Sequence, residues 1–257
     1  MPTAKISPDL NALLDDLVEY VWATKGAGRQ FDVRMIRYFA ERFWAGAKEG
    51  FGKDLDTLAE NGADARIIES IKANVWQFSA AKNYNQMRAL GNALIGEDGK
   101  ILSETAFKKA AYAINAEHVG PWLTAEYDLA FSGSQMCSKW ADAKANNVPI
   151  LEFDAVMDNH TTPLCASLNG VRKPINDPFW DTYYPPNHFL CRSNTREMYS
   201  GSITPDHTIT LPDIPAMFQT NLAKEGLVFP KGHPYFNGVP EQVLKAAETL
   251  QNKQHGK

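Results

Sequence analysis

Cysteine is scarce in this chain: three in 257 residues. An odd, low count argues against a secreted disulfide scaffold. A surplus of base is missing too, because 26 Lys and Arg stand against 30 Asp and Glu, for a formal net charge of −4. A chain whose main surface grips nucleic acid shows the opposite balance, so only a local basic patch stays open. No run of about eighteen apolar residues occurs, which leaves no helix fit to span a membrane. The opening residues, MPTAKISPDL, carry no long apolar h-region of a signal peptide. These absences lead to the expectation of a soluble protein made in a reducing cytoplasm. What is present is globular in profile, with 44% apolar and 22% charged residues. That suffices for one large core or two modest ones. Only the final QNKQHGK reads as disordered.

The first half is written in helical period. Ser7, Pro8 and Asp9 can open a helix, with Leu10, Leu13, Leu14, Leu17, Val18, Val21 and Trp22 as its stripe. Asp32 can cap a second helix carrying Ile36, Ala40, Phe43, Trp44 and Ala47, ended by Gly50 and Gly52. A third stripe runs from Ile67 to Phe78, and a short fourth helix is expected over 86–95. Ser103 starts a fifth, which Gly120-Pro121 breaks. Residues 122–144 then read as one long helix, although Gly133 at its middle costs about 1 kcal/mol against alanine. After Asn146-Asn147 the grammar changes. VPILEFDAVM is a strand signal, HTITLP offers another, and VPEQVLKAAETLQ is a short amphipathic helix with Pro240 at its start.

Chemistry-bearing residues gather between the two strand signals. His160 with Cys165, and His188 with Cys191, form two short clusters, as a clamp of two loops on a tetrahedral zinc ion would. The spacings H-x4-C and H-x2-C are loose for a zinc finger. The favoured reading is two buried cysteines with two loop histidines bonded to backbone. Zinc ranks second, a Cys165–Cys191 disulfide third, and a Cys191 nucleophile with His188 as base last. Arg192 beside Cys191 would lower a thiol pKa. Asp154 and Asp158 sit at a strand end, where turn formation is the commoner role. Glu117, His118, Glu126 and Asp128 read as a solvated surface. The aromatic run Phe179, Trp180, Tyr183 and Tyr184 can stack bases, but sealing a small core fits better. No phosphate-cradling glycine loop, G-x-S-x-G or H-E-x-x-H occurs.

The run DNHTTPLCASLNGVRKPINDPFWDTYYPPNHFLCRS resembles the signature of the phage Mu F-like head morphogenesis family, also called minor capsid proteins. The correspondence falls on Asp158, Cys165, Leu168, Asn169 and Gly170, then on Asp177, Pro178, Phe179 and Trp180, then on Pro185, Pro186, Cys191 and Arg192. The upstream WLTAEYDLAFSGSQMCSKW and downstream MFQTNLAKEGLVFPKGHPY are similar to the family as well. Ser193 stands where relatives often carry a last cysteine, and His188 where they often carry glycine.

The resemblance implies a phage or prophage head-assembly protein of low copy number, acting at the portal and procapsid interior. Implied partners are portal and capsid proteins, with packaged DNA as a further contact and no membrane. The implied location is the bacterial host cytoplasm during assembly and then the phage head. No toxin or enzyme extension is expected beyond the short C-terminal helix. No catalytic residue and no cofactor is assigned. The runner-up readings are an enzyme with zinc on His160, Cys165, His188 and Cys191, using Asp158 or Glu152 as base, and a nucleic-acid-binding accessory using Arg172, Lys173, Arg192 and Arg196. The fold expectation is α+β: a mainly helical region over 1–147, a signature unit of short strands and ordered loops over 148–215, and a tail over 216–257 with a short helix.

Overall fold

A computed structural model describes residues 8–53 and 65–254. The fold is α+β. The long helices come first: α1 (Pro8–Thr24), α2 (Val33–Phe51), α3 (Ala65–Asn92), α4 (Glu104–Val119) and α5 (Pro121–Ala145). Strand β1 (Ile150–Asp154), helix α6 (Pro163–Leu168), strand β2 (Arg172–Pro174), helix α7 (Phe179–Tyr183) and strand β3 (Asn194–Met198) follow. Short turns of helix, among them α8 (Leu222–Glu225), lead to α9 (Glu241–Gln254). Among the described residues no helix is long and apolar enough to cross a membrane. The Ser7 cap and residues 255–257 lie outside the described residues.

By contact the chain divides into two compact units, one of residues 1–41, 76–124 and 235–257, the other of residues 42–75 and 125–234. In the first unit, Leu14, Leu17, Val18 and Val21 of α1 are buried, and Trp22 stacks on Phe107 of α4 with ring centroids 5.7 Å apart. Asp32 caps α2 as its sequence position suggests. Its Oδ1 accepts from Arg34 N–H at 2.8 Å, and its own N–H donates to Asn83 Oδ1 at 2.6 Å. Ser103 likewise caps α4, accepting from Ala106 N–H.

In the second unit the helices approach at glycines. A Cβ on Gly50 would collide with the Phe131 carbonyl of α5, so Gly50 lies inside α2 and permits the contact; only Gly52 stands beyond the helix end. Helix α5 runs unbroken through Gly133, whose absent side chain admits Val228, with its Cα 3.1 Å from where a Cβ would stand. Asn74 of α3 fixes the same segment: its Oδ1 accepts from Val228 and Phe229 N–H, and its Nδ2 donates to the Phe229 carbonyl.

The sheet is three-stranded and antiparallel in the order β2-β1-β3. Glu152 pairs in register with Arg172 on one side and Arg196 on the other. Its nearly buried carboxylate accepts from both guanidinium groups. An opposite-charge pair on each neighbouring strand locks the register of two short, polar strands.

Three expectations fail here. The separate short helix over 86–95 is the last part of α3, which is continuous for 28 residues. HTITLP forms no strand: Asp206–Thr208 is a single 3-10 turn and the rest is irregular. Asn252 to Gln254, read as part of a disordered tail, belong to α9.

Candidate functional site

The signature run folds into a clasp closed at three levels. The first is the aromatic plug. Trp180 and Tyr184 are fully buried, Phe179 meets Trp180 edge-on at 4.9 Å, and Tyr184 meets Trp140 of α5 at 4.9 Å. Tyr184 O–H donates to the Met136 carbonyl at 3.1 Å, and Asn221 Nδ2 donates to the Trp180 carbonyl at 2.9 Å. Asp177 starts α7 by accepting from Phe179 N–H. Trp180 and Tyr184 seal a core, while Phe179 and Tyr183 are half-buried at its edge.

The second level is the backbone frame. Leu168 is buried, and the Asn169 side chain accepts from Ala155 N–H at 3.0 Å, tying the end of α6 to the end of β1. Gly170 follows at φ +78°, a left-handed turn that favours glycine although a Cβ there would meet nothing within 4 Å. Pro185 and Pro186 are buried, and the peptide bond between them is cis. The third level is Asp158, which accepts from both terminal nitrogens of Arg192 at 2.6 and 2.7 Å and from His160 N–H at 2.9 Å. Hydrogen bonds from Arg192 hold its carboxyl well below the usual carboxylate range.

Inside the clasp three side chains converge. Cys165 Sγ is 3.1 Å from His188 Nε2 and 3.9 Å from Cys191 Sγ. All three donor atoms lie within 4.8 Å of one another. The thiols are free. Thr162 caps α6 by accepting from Cys165 N–H, and its Oγ1 also reaches His188 Nε2 at 3.2 Å. His188 Nδ1–H donates to the Phe189 carbonyl at 2.6 Å, which aims Nε2 inward. Beside the cluster is a pocket of about 20 Å³ lined by His160, Thr162, Cys165, His188 and Ser193 among others. His160 is exposed at its rim, outside the converging group.

In the chain alone, the hydrogen bond from Cys191 pulls the Cys165 thiol down to about 4 against its partial burial, with His188, Ser193 and Thr162 adding to the effect. The hydrogen bond with Cys165 raises His188, and the bond to Cys165 together with burial pushes Cys191 up. The hydrogen bonds thus lower the Cys165 thiol and raise the Cys191 thiol, and Cys165 is the one the imidazole touches. Thr162 and the Phe189 carbonyl were not singled out from sequence, and Ser193 only as a departure from the family signature. Thr162-Pro163 was a readable helix-start signal, whereas a carbonyl leaves no trace in composition.

The other readings place differently. Arg172 and Arg196 are paired with Glu152, Arg196 also with Asp154, Lys173 is buried against Asp206, and Arg192 holds Asp158. The four cations thus meet carboxylates and do not form a bare basic patch. Glu152 is held as an ion-pair hub. The surface read around Gly120 is partly interior: His118 and Glu126 are buried.

Residues 123–196 match the family described as Phage Mu protein F like protein. This stretch is similar to that family. It contains β1, the plug, the converging Cys165, His188 and Cys191, and the Asp158–Arg192 pair. A curated relative named for capsid assembly, protein F of Escherichia phage Mu, is 39% identical over 54 residues, which is 21% of this chain and 12% of the relative. The matched stretch therefore spans a small part of that relative's length. No solved structure matches the chain.

Proposed function

We propose that the chain is a minor capsid protein of a phage or prophage that acts in head morphogenesis without catalysis. It docks on portal and capsid proteins, works in the host cytoplasm during assembly and is retained in the head interior. One observation carries this reading: the Mu F-like match, residues 123–196, coincides with the clasp. What the clasp offers is rigidity. Trp180 and Tyr184 are buried, its charges are paired, and the pocket beside Cys165 has room for about one water. A pocket of that size favours bracing over turnover of a substrate. The paired state of Arg172, Lys173, Arg192 and Arg196 favours protein partners over DNA as the main contact.

The test is deletion of the gene from a phage that encodes this chain, with electron microscopy of the lysate. Loss of normal filled heads, restored by the gene in trans, supports the role. Normal heads at normal titre contradict it.

A further inference from the structure

Cys165, His188 and Cys191 come from two segments, and their arrangement has features that a packed core does not require. The sulfur atoms are 3.9 Å apart. A disulfide needs about 2.05 Å. Two thiolates on one tetrahedral zinc, each with a bond of about 2.3 Å, stand about 3.8 Å apart. The third donor is already oriented. Nδ1–H of His188 is held by the Phe189 carbonyl, the outer contact that a metal-ligating imidazole uses to fix its tautomer and ring plane.

The backbone between His188 and Cys191 points the same way. Leu190 is 57% exposed and sits at φ 58°, a left-handed conformation that leucine rarely adopts. No apolar burial rewards that geometry. Its effect is local: the chain doubles back so that the imidazole and the Cys191 thiol face one point. Charge agrees as well: two thiolates and a divalent cation leave little net charge in a half-buried site.

We propose that Cys165, His188 and Cys191 bind a structural zinc ion, with His160 supplying the fourth ligand from the rim of the adjoining pocket. His160 stands on the strap that Asp158 and Arg192 tie down beside Cys191, and its N–H is bonded to Asp158. His160 already lines that pocket, and in this arrangement its imidazole turns inward to complete the tetrahedron. The ion then crosslinks the strap, α6 and the turn after Pro185-Pro186, and so braces the clasp from within.

The experiment uses the full chain, reduced, stripped with a chelator and titrated with Co²⁺. The expected result is saturation near about one ion per chain, with thiolate-to-cobalt charge-transfer absorption, tetrahedral visible bands, displacement by Zn²⁺ and a raised melting temperature. Cys165→Ser and Cys191→Ser are expected to abolish the charge-transfer band. If either fails to fold, the titration of the native chain decides alone. His160→Ala is expected to weaken binding by at least about tenfold. A native chain that gives no charge-transfer band overturns the site. A His160→Ala chain with native affinity overturns the four-ligand geometry.

Discussion

Asp158 and Arg192 grip each other through two parallel hydrogen bonds, 2.6 and 2.7 Å, across 34 residues of sequence. The pair joins the strap after β1 to the turn that carries Cys191, so it closes the clasp at its outer edge. A fork-to-carboxylate geometry of this kind positions backbone as well as charge. Substituting Arg192→Ala or Asp158→Asn is expected to speed amide hydrogen exchange across residues 158–161, while protection in β1 and β3 stays at the native level. Unchanged exchange in the strap would show that the pair is incidental.

Trp180 is the centre of the plug. It is fully buried and meets the rings of Phe179 and Tyr184. Trp180→Ala is expected to destabilise the second unit by about 3–5 kcal/mol, measured by denaturant unfolding. Tyr184→Phe removes the hydroxyl's bond to the Met136 carbonyl and its contact with Thr195, and is expected to cost about 1 kcal/mol. A melt unchanged by Trp180→Ala would contradict the plug.

Two glycines separate steric from conformational need. Alanine at Gly50 would drive a methyl into the Phe131 backbone, and the two helices must part. Alanine at Gly170 meets open space and suffers only from φ +78°. The expected loss at Gly170 is about 1–2 kcal/mol, and the loss at Gly50 is larger, in the same unfolding experiment. Equal losses would refute the distinction.

His118 sets an acid limit on the first unit. Burial, with Lys82 nearby, pushes its pKa from 6.5 down to about 3. The unfolded chain therefore binds a proton that the folded chain refuses. The stabilising effect is complete above the unfolded value and is lost as pH falls from 6.5 toward about 3. The expected slope is up to about 1.4 kcal/mol per pH unit in that window. His118→Phe is expected to flatten this limb. A wild-type stability that is level through the window would contradict the assignment.

The pattern of success in reading the sequence has physical causes. Helices with a clean apolar stripe, such as α1, were legible because burial and period coincide. Helix α3 was read only as two pieces, 67–78 and 86–95, because Ser79, Lys82, Asn83 and Gln86 are buried where they join and break the stripe that marks a helix. Strands β2 and β3 are short and polar; charge pairing to Glu152, not an apolar run, holds them, so composition hid them. HTITLP has the residues of a strand, yet no neighbouring strand pairs with it. In the site, the two H-x-C clusters marked Cys165, His188 and Cys191, which the fold brings together. The same clusters could not say that the imidazole meets Cys165 in preference to Cys191, since that depends on the turn at Leu190.

The measurement closest to the central claim is quantitative mass spectrometry of DNA-filled heads purified from a phage encoding this chain. The account predicts the chain inside washed particles at a small, fixed ratio to the main shell protein. Particles that are complete, infectious and free of the chain would contradict it.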